Sequence, residues 1–158
     1  MPKNTRGSKR TDPYYQAQDI LSRRDHSIAE VRQKLGRKKF SREQIEAVVR
    51  RLIQEELLND ERFATMYTAD MLRFKTVGPR WVATALLQKN IDRDIVARVV
   101  AEAYPSGTEA ALAKKAAKAW QGSHRGVAHD QMRLWRFLAA RGFSSASISA
   151  ATQLTDDH

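Results

Sequence analysis

A helical pattern recurs in this chain at a near-constant spacing, and that recurrence constrains the fold more than any other feature. With the chain set in register on Phe40, Ile91 and Phe143, which stand 51 and 52 residues apart, four further positions agree in chemistry. Val31, Val82 and Leu134 occupy one position upstream, and Leu35, Leu86 and Leu138 the next turn along. Ser41, Asp92 and Ser144, all helix N-cap types, follow the anchors directly, and Ile45, Val96 and Ile148 come one turn later. A fixed period that repeats apolar and capping positions marks a tandem array, because every copy must bury the same face against its neighbours. The predicted fold is all-α: three tandem three-helix repeats in an elongated, curved array. The expected division is a disordered basic arm over 1–11, then repeats over 12–58, 59–107 and 108–158.

Local signals supply the nine helices. Asp12-Pro13 is an N-cap with proline at the first helical position, ahead of Ala17, Ile20, Leu21 and Arg24 on one face. Ser27 to Glu30 reads as a capping box before Ile28, Val31 and Leu35. Ser41 to Gln44 reads as a second, before Ile45, Val48, Val49, Leu52 and Ile53. Asp60-Glu61 opens a helix through Phe63, Tyr67, Met71 and Phe74, and Gly78-Pro79 opens one with Val82, Ala85 and Leu86. Asp92 caps Val96, Val99, Val100 and Ala103, until Tyr104-Pro105 stops the run. Thr108 is expected to cap Leu112, Ala116, Ala119 and Trp120. A polar loop over 122–126 precedes Leu134, Phe137 and Leu138, and then Ser144 caps Ile148 and Ala151.

Composition narrows the chemistry. The chain lacks cysteine, which excludes a disulfide framework, a thiol nucleophile and thiolate-bound metals. No apolar run reaches the roughly 18–20 residues of a membrane span, and the basic, polar start does not read as a signal peptide. A cytoplasmic protein is expected. His26, His124, His129 and His158 are the only histidines, and the pair at 124 and 129 shares no helical face, so solvated surface positions are expected. Glu55, Glu56, Asp60 and Glu61 cluster and could hold a cation. A first-turn position favours carboxylates in any case, through the helix dipole. Without a P-loop, a dinucleotide fingerprint or a nucleophile elbow, no catalytic residue, cofactor or metal is expected, and the chain reads as a non-enzyme.

The strongest functional signal is charge. The formal net charge is +10, and it divides as +6 over 1–58, +1 over 59–107 and +3 over 108–158. Within residues 23–42 lie Arg23, Arg24, Arg32, Lys34, Arg37, Lys38, Lys39 and Arg42, against only Asp25 and Glu30. Lys34 and Arg37 fall off the Ile28/Val31/Leu35 stripe and are expected to face solvent. Some of these cations answer the dipole at a helix C-terminus, but so many exceed what solubility requires and point to a phosphate backbone. Arg133, Arg136 and Arg141 extend the candidate surface in the third repeat. The third helix offers Arg42, Glu43, Glu46, Arg50 and Gln54, with Glu46 and Arg50 spaced to pair. That mixed-sign face suits a solvated helix better than a reader of base edges. Trp120 is expected in the core. Trp81 and Trp135 lie beside their stripes, as candidates for protein contact, for stacking on a base, or for half-burial in a seam. Asp70 is expected to pair with an arginine.

Taken together, these residues resemble the RecX family of bacterial recombination regulators. The resemblance rests on residues 17–31, with Leu21-Ser22-Arg23-Arg24-Asp25-His26-Ser27 at their centre and a continuation to Lys39-Phe40. It rests also on Leu57-Leu58-Asn59-Asp60-Glu61-Arg62-Phe63-Ala64, Gly78-Pro79-Arg80 and Phe137-Leu138-Ala139-Ala140-Arg141-Gly142-Phe143-Ser144. What the resemblance implies is a monomeric, non-enzymatic modulator that lies along the RecA–DNA filament. It would inhibit RecA ATPase, filament growth and strand exchange, and bind single- and double-stranded DNA weakly and without sequence preference. Two other classes fit the same composition: a helix-turn-helix transcription regulator, and an RNA- or ribosome-associated basic protein.

Overall fold

The computed structural model describes residues 10–127 and 130–153. Their main helices are α1 (Pro13–Arg23), α2 (Ile28–Arg37), α3 (Arg42–Gln54), α4 (Asp60–Phe74) and α5 (Pro79–Gln88). After them come α6 (Arg93–Ala103), α7 (Thr108–Ser123), a 3₁₀ turn (Arg125–Val127), α8 (Gln131–Ala140) and α9 (Ser145–Gln153). No strand occurs among the described residues, and none of their helices is long and apolar enough to cross a membrane. The basic arm lies outside the described residues as far as position 9, as do His129 and His158. Packing divides the chain into two compact units. One holds the described residues up to Ala64 together with Lys89–Ile91, and the other holds Thr65–Gln88 and the described residues from Asp92 on.

In the first unit α1, α2 and α3 pack on one another around Ala17, Ile20, Val31, Leu35, Val48, Val49, Leu52 and Leu58. Each fully buried aliphatic side chain of this size contributes about 1.5–3 kcal/mol, which is what holds helices this short. Asp12 caps α1 by accepting the Tyr14 N–H at 3.0 Å, and Ser41 and Gln44 close a reciprocal capping box on α3. The α2 terminus departs from expectation. The Ser27 hydroxyl accepts the Glu30 N–H at 3.1 Å, but the Glu30 carboxylate does not return the bond. Asp60 accepts the next N–H along, that of Ile28, at 2.8 Å, so the carboxylate expected to serve its own helix caps another.

In the second unit α7 carries Ala113, Ala116 and Ala117, whose small side chains admit α9 against its backbone. Trp120, Leu134, Leu138, Phe143, Ile148 and Ala151 complete that core. Elsewhere in this unit α5 packs on α6, with Val82, Leu86, Val96 and Val99 buried. The Tyr104 hydroxyl donates to the Val77 carbonyl at 2.7 Å, and the Ser144 N–H donates to Glu109 at 2.6 Å.

The repeating positions behave alike. Val31, Val82, Leu134, Leu35, Leu86 and Leu138 are all buried, as are Ile91, Phe143, Val96 and Ile148. The residue before each anchor is left-handed: Lys39 at φ 66°, Asn90 at φ 56° and Gly142 at φ 83°. Other readings need correction. Ile53 and Phe74 are exposed, because the periodicity ran one position past the packed face of each helix. Ala119 is exposed, the α7 stripe being Ala113/Ala116/Ala117/Trp120. Gly107, left-handed at φ 86°, is the N-cap of α7, which places Thr108 inside the helix. That helix also continues to Ser123, into the stretch expected to be loop.

Candidate nucleic-acid interface

Four of the predicted cations meet at one place in the first unit. Arg23 from α1, Lys34 and Arg37 from α2, and Lys38 at its C-cap line a hollow of about 350 Å³, with Asp19 and Ile20. The gathering follows from helix geometry. Lys34, Arg37 and Lys38 share one side of the last turn of α2, and α1, packed alongside, brings Arg23 to the same side. Among the described lining residues Asp19 is the one carboxylate, and it holds Arg23 at 3.2 Å in a pair open to solvent. Arg37 and Lys38 are exposed and have no acidic partner among the described residues, and the same is true of Lys39 beyond the turn.

Lys34 is half-buried rather than solvent-facing, because its ammonium lies 3.0 Å from Nε2 of the buried His26. His26 Nδ1 stands 2.8 Å from the Arg24 carbonyl, an acceptor only, so Nδ1 carries the proton and Nε2 accepts from Lys34. Burial pushes the His26 pKa down, and the Arg24 and Lys34 charges act in the same direction. His26 is thus a buried acceptor for the Lys34 ammonium, where a solvated surface residue was expected.

The remaining cations are less available. Arg24 donates to Glu30 at 2.9 Å, and Lys89 donates to the other Glu30 oxygen at 2.8 Å. Burial pushes the Glu30 carboxyl up, and the two cations outweigh it and hold it below the usual carboxylate range. Arg32 grips Glu46 through two bonds, at 2.9 and 3.1 Å, so Glu46 pairs across the α2–α3 seam and not with Arg50. In the second unit Arg133 pairs with Asp130 at 3.0 Å, Arg136 is exposed, and Arg141 stacks its guanidinium 5.0 Å from the Phe137 ring. Asp70 is exposed and pairs with no arginine among the described residues.

The tryptophans divide. Trp120 is in the core, stacked on the His124 ring at 4.5 Å, whereas Trp81 and Trp135 remain 38% and 42% exposed. Trp81 lines a second hollow with Lys75 and Arg80, which charge counting passed over because residues 59–107 net only +1. The acid cluster is dispersed: Asp60 is bonded to Ile28, and Glu55 to Tyr14 and Arg51.

The chain is similar to known proteins over most of its length. Residues 14–52 match a family model described as the first three-helix domain of RecX, and residues 59–100 match the second. A regulatory protein RecX from Vibrio parahaemolyticus is 32% identical over 87% of this chain and 88% of its own length. Another, from Syntrophotalea carbinolica, is 31% identical over 88% of this chain and 93% of its own length. A third, from Listeria monocytogenes, is 26% identical, and the chain spans about half of its length (52%). Among solved structures, RecX from Lactobacillus salivarius superposes with a TM-score of 0.83 at 22% identity, covering 95% of this chain and 98% of that one.

Proposed function

The chain belongs to the RecX family, and from that premise we propose that it is a non-enzymatic regulator of the RecA recombinase. In this reading it binds the RecA–DNA filament, inhibits ATP hydrolysis, filament growth and strand exchange, and acts as a monomer in the cytoplasm. It holds DNA through phosphates, single- or double-stranded, weakly and without sequence preference. Three repeats over 12–58, 59–107 and 108–158 would share the filament.

One observation carries the DNA contact: Arg23, Lys34, Arg37 and Lys38 ring a single hollow with one carboxylate among its described lining residues. Cations held this close release condensed counterions when a phosphate enters, and they read no bases. The outer face of α3 supports backbone contact over a helix-turn-helix reader, since Glu46 is spent on Arg32 and Glu43 remains among the bases.

The test is ATP hydrolysis by cognate RecA on single-stranded DNA while this protein is titrated in. Substoichiometric protein should slow hydrolysis. Unchanged hydrolysis at several-fold excess refutes the reading, and co-sedimentation with ribosomes instead of RecA would favour the RNA-associated alternative.

A further inference from the structure

We propose that the groove of the second unit, walled by α4, α5 and the end of α8, is a stacking site for single-stranded nucleic acid. One base lies on Trp81, and the flanking phosphates lie on Lys75 and Arg80. The inference rests on the polyanion reading above but is independent of RecA.

The groove encloses about 630 Å³ and is lined by Tyr67, Met71, Lys75, Arg80, Trp81 and Ala139, among others. That volume is in the usual range for small-molecule sites and has room for a nucleobase with its sugar. Among the described residues its only charged lining groups are the two cations, and neither has an acidic partner there. The Lys75 ammonium sits over the Trp81 ring, 5.8 Å from its centroid, so a cation already lies at the stacking surface. An aromatic platform flanked by cations is the composition with which sequence-tolerant single-strand sites are built.

Trp81 is held ready by its backbone. The Gly78 N–H donates to the Arg141 carbonyl at 2.7 Å, and the Arg80 N–H donates to the Gly142 carbonyl at 3.2 Å. The Trp81 N–H itself is taken by the Gly78 carbonyl at 3.1 Å, and Pro79 has none to offer. The first turn of α5 therefore keeps no free N–H for an anion, and phosphate contact falls to the Lys75 and Arg80 side chains. Trp81 extends from a Cα fixed by these bonds, and the residue is 38% exposed, which leaves part of it open to a base.

The experiment compares two oligomers of equal length and charge at low salt: an eight-nucleotide oligothymidylate and its abasic counterpart. The wild-type protein should bind the thymidylate about ten-fold more tightly, the contribution expected of a stacked base. Trp81→Leu should abolish that preference while leaving abasic affinity and thermal midpoint unchanged, and Trp81→Phe should keep most of it. If the wild-type protein binds both oligomers equally, or Trp81→Leu retains the preference, the stacking site is wrong and the phosphate reading stands. If neither oligomer binds, both fall. If Trp81→Leu binds both like the wild type but no longer acts on RecA, the groove docks protein and the inference is overturned.

Discussion

Gly78 and Gly142 meet backbone to backbone, and neither position has room for a side chain. A Cβ on Gly78 would lie 2.3 Å from the Gly142 carbonyl oxygen, and a Cβ on Gly142 would lie 2.3 Å from the Trp81 nitrogen. The contact presses the loop before α5 onto the turn between α8 and α9, inside the second unit.

Alanine at either glycine should therefore destabilise the second unit by about 2–4 kcal/mol, since a backbone clash cannot be relieved by a rotamer. Gly142→Ala carries an added strain of roughly 1–2 kcal/mol, because φ there is +83°. Gly36 is the opposite case: it sits inside α2 with nothing within 4 Å of the point a Cβ would occupy, and Gly36→Ala should stabilise by about 0.5–1 kcal/mol. Urea unfolding of the three variants checks the signs. Equal effects at positions 36 and 142 would contradict the packing described.

A second contrast lies within the first unit. Leu35 is fully buried in the α1–α2–α3 core, so Leu35→Ala should lose about 2–4 kcal/mol. Ile53, on the same repeat's apolar pattern, is 44% exposed, and Ile53→Ala should change stability by no more than about 0.5 kcal/mol. Thermal midpoints of the pair decide it.

That contrast marks the reach of the sequence. Period and caps are local, so Leu35, Leu86 and Leu138 could be assigned to the core, and Ser41 and Asp12 to helix starts, from spacing alone. Where a stripe ends depends on which helix lies over it, and Ile53 and Phe74 carry the right spacing yet stay exposed. Long-range pairing is invisible in the same way. Nothing near Glu30 announces Lys89, fifty-nine residues on, and nothing near Asp60 announces the Ile28 N–H. The basic cluster was legible as a count. Its sorting into cations with no acidic partner among the described residues (Arg37, Lys38, Lys39) and engaged ones (Arg24, Arg32) required the fold.

His26 makes stability depend on acid. Its pKa is held below the ordinary 6.5, burial being the largest cause, so between pH 6.5 and the folded value the unfolded chain binds more protons than the native one. The stabilisation is whole above about pH 6.5 and is lost as pH falls through the folded value. A protonated Nε2 would point a donor at the Lys34 ammonium, which has no acceptor to offer. The urea midpoint should therefore drop between pH 8 and pH 5 more in the wild-type protein than in His26→Gln. An NMR titration placing the His26 midpoint at or above 6.5 would remove the explanation.

The hollow of the first unit makes a prediction in salt. Arg37 and Lys38 are exposed, have no acidic partner among the described residues, and are close enough to act on one strand, so each should account for about one neutralised phosphate. Log affinity for single-stranded DNA should fall with log salt at a slope of about −0.7 per neutralised phosphate. Replacing both residues by glutamine should make that slope shallower by roughly 1.4–2. Melting should barely move, since exposed charges contribute little to stability. The same double substitution at Arg24 and Arg32 should leave the slope closer to wild type, because Glu30 and Glu46 already neutralise those guanidinium groups. It should cost more stability instead, since Arg24 shares the half-buried Glu30 carboxylate with Lys89 and Arg32 bridges α2 to α3. If the two pairs change the salt slope equally, the hollow is no special site, and net charge alone governs the attraction to DNA.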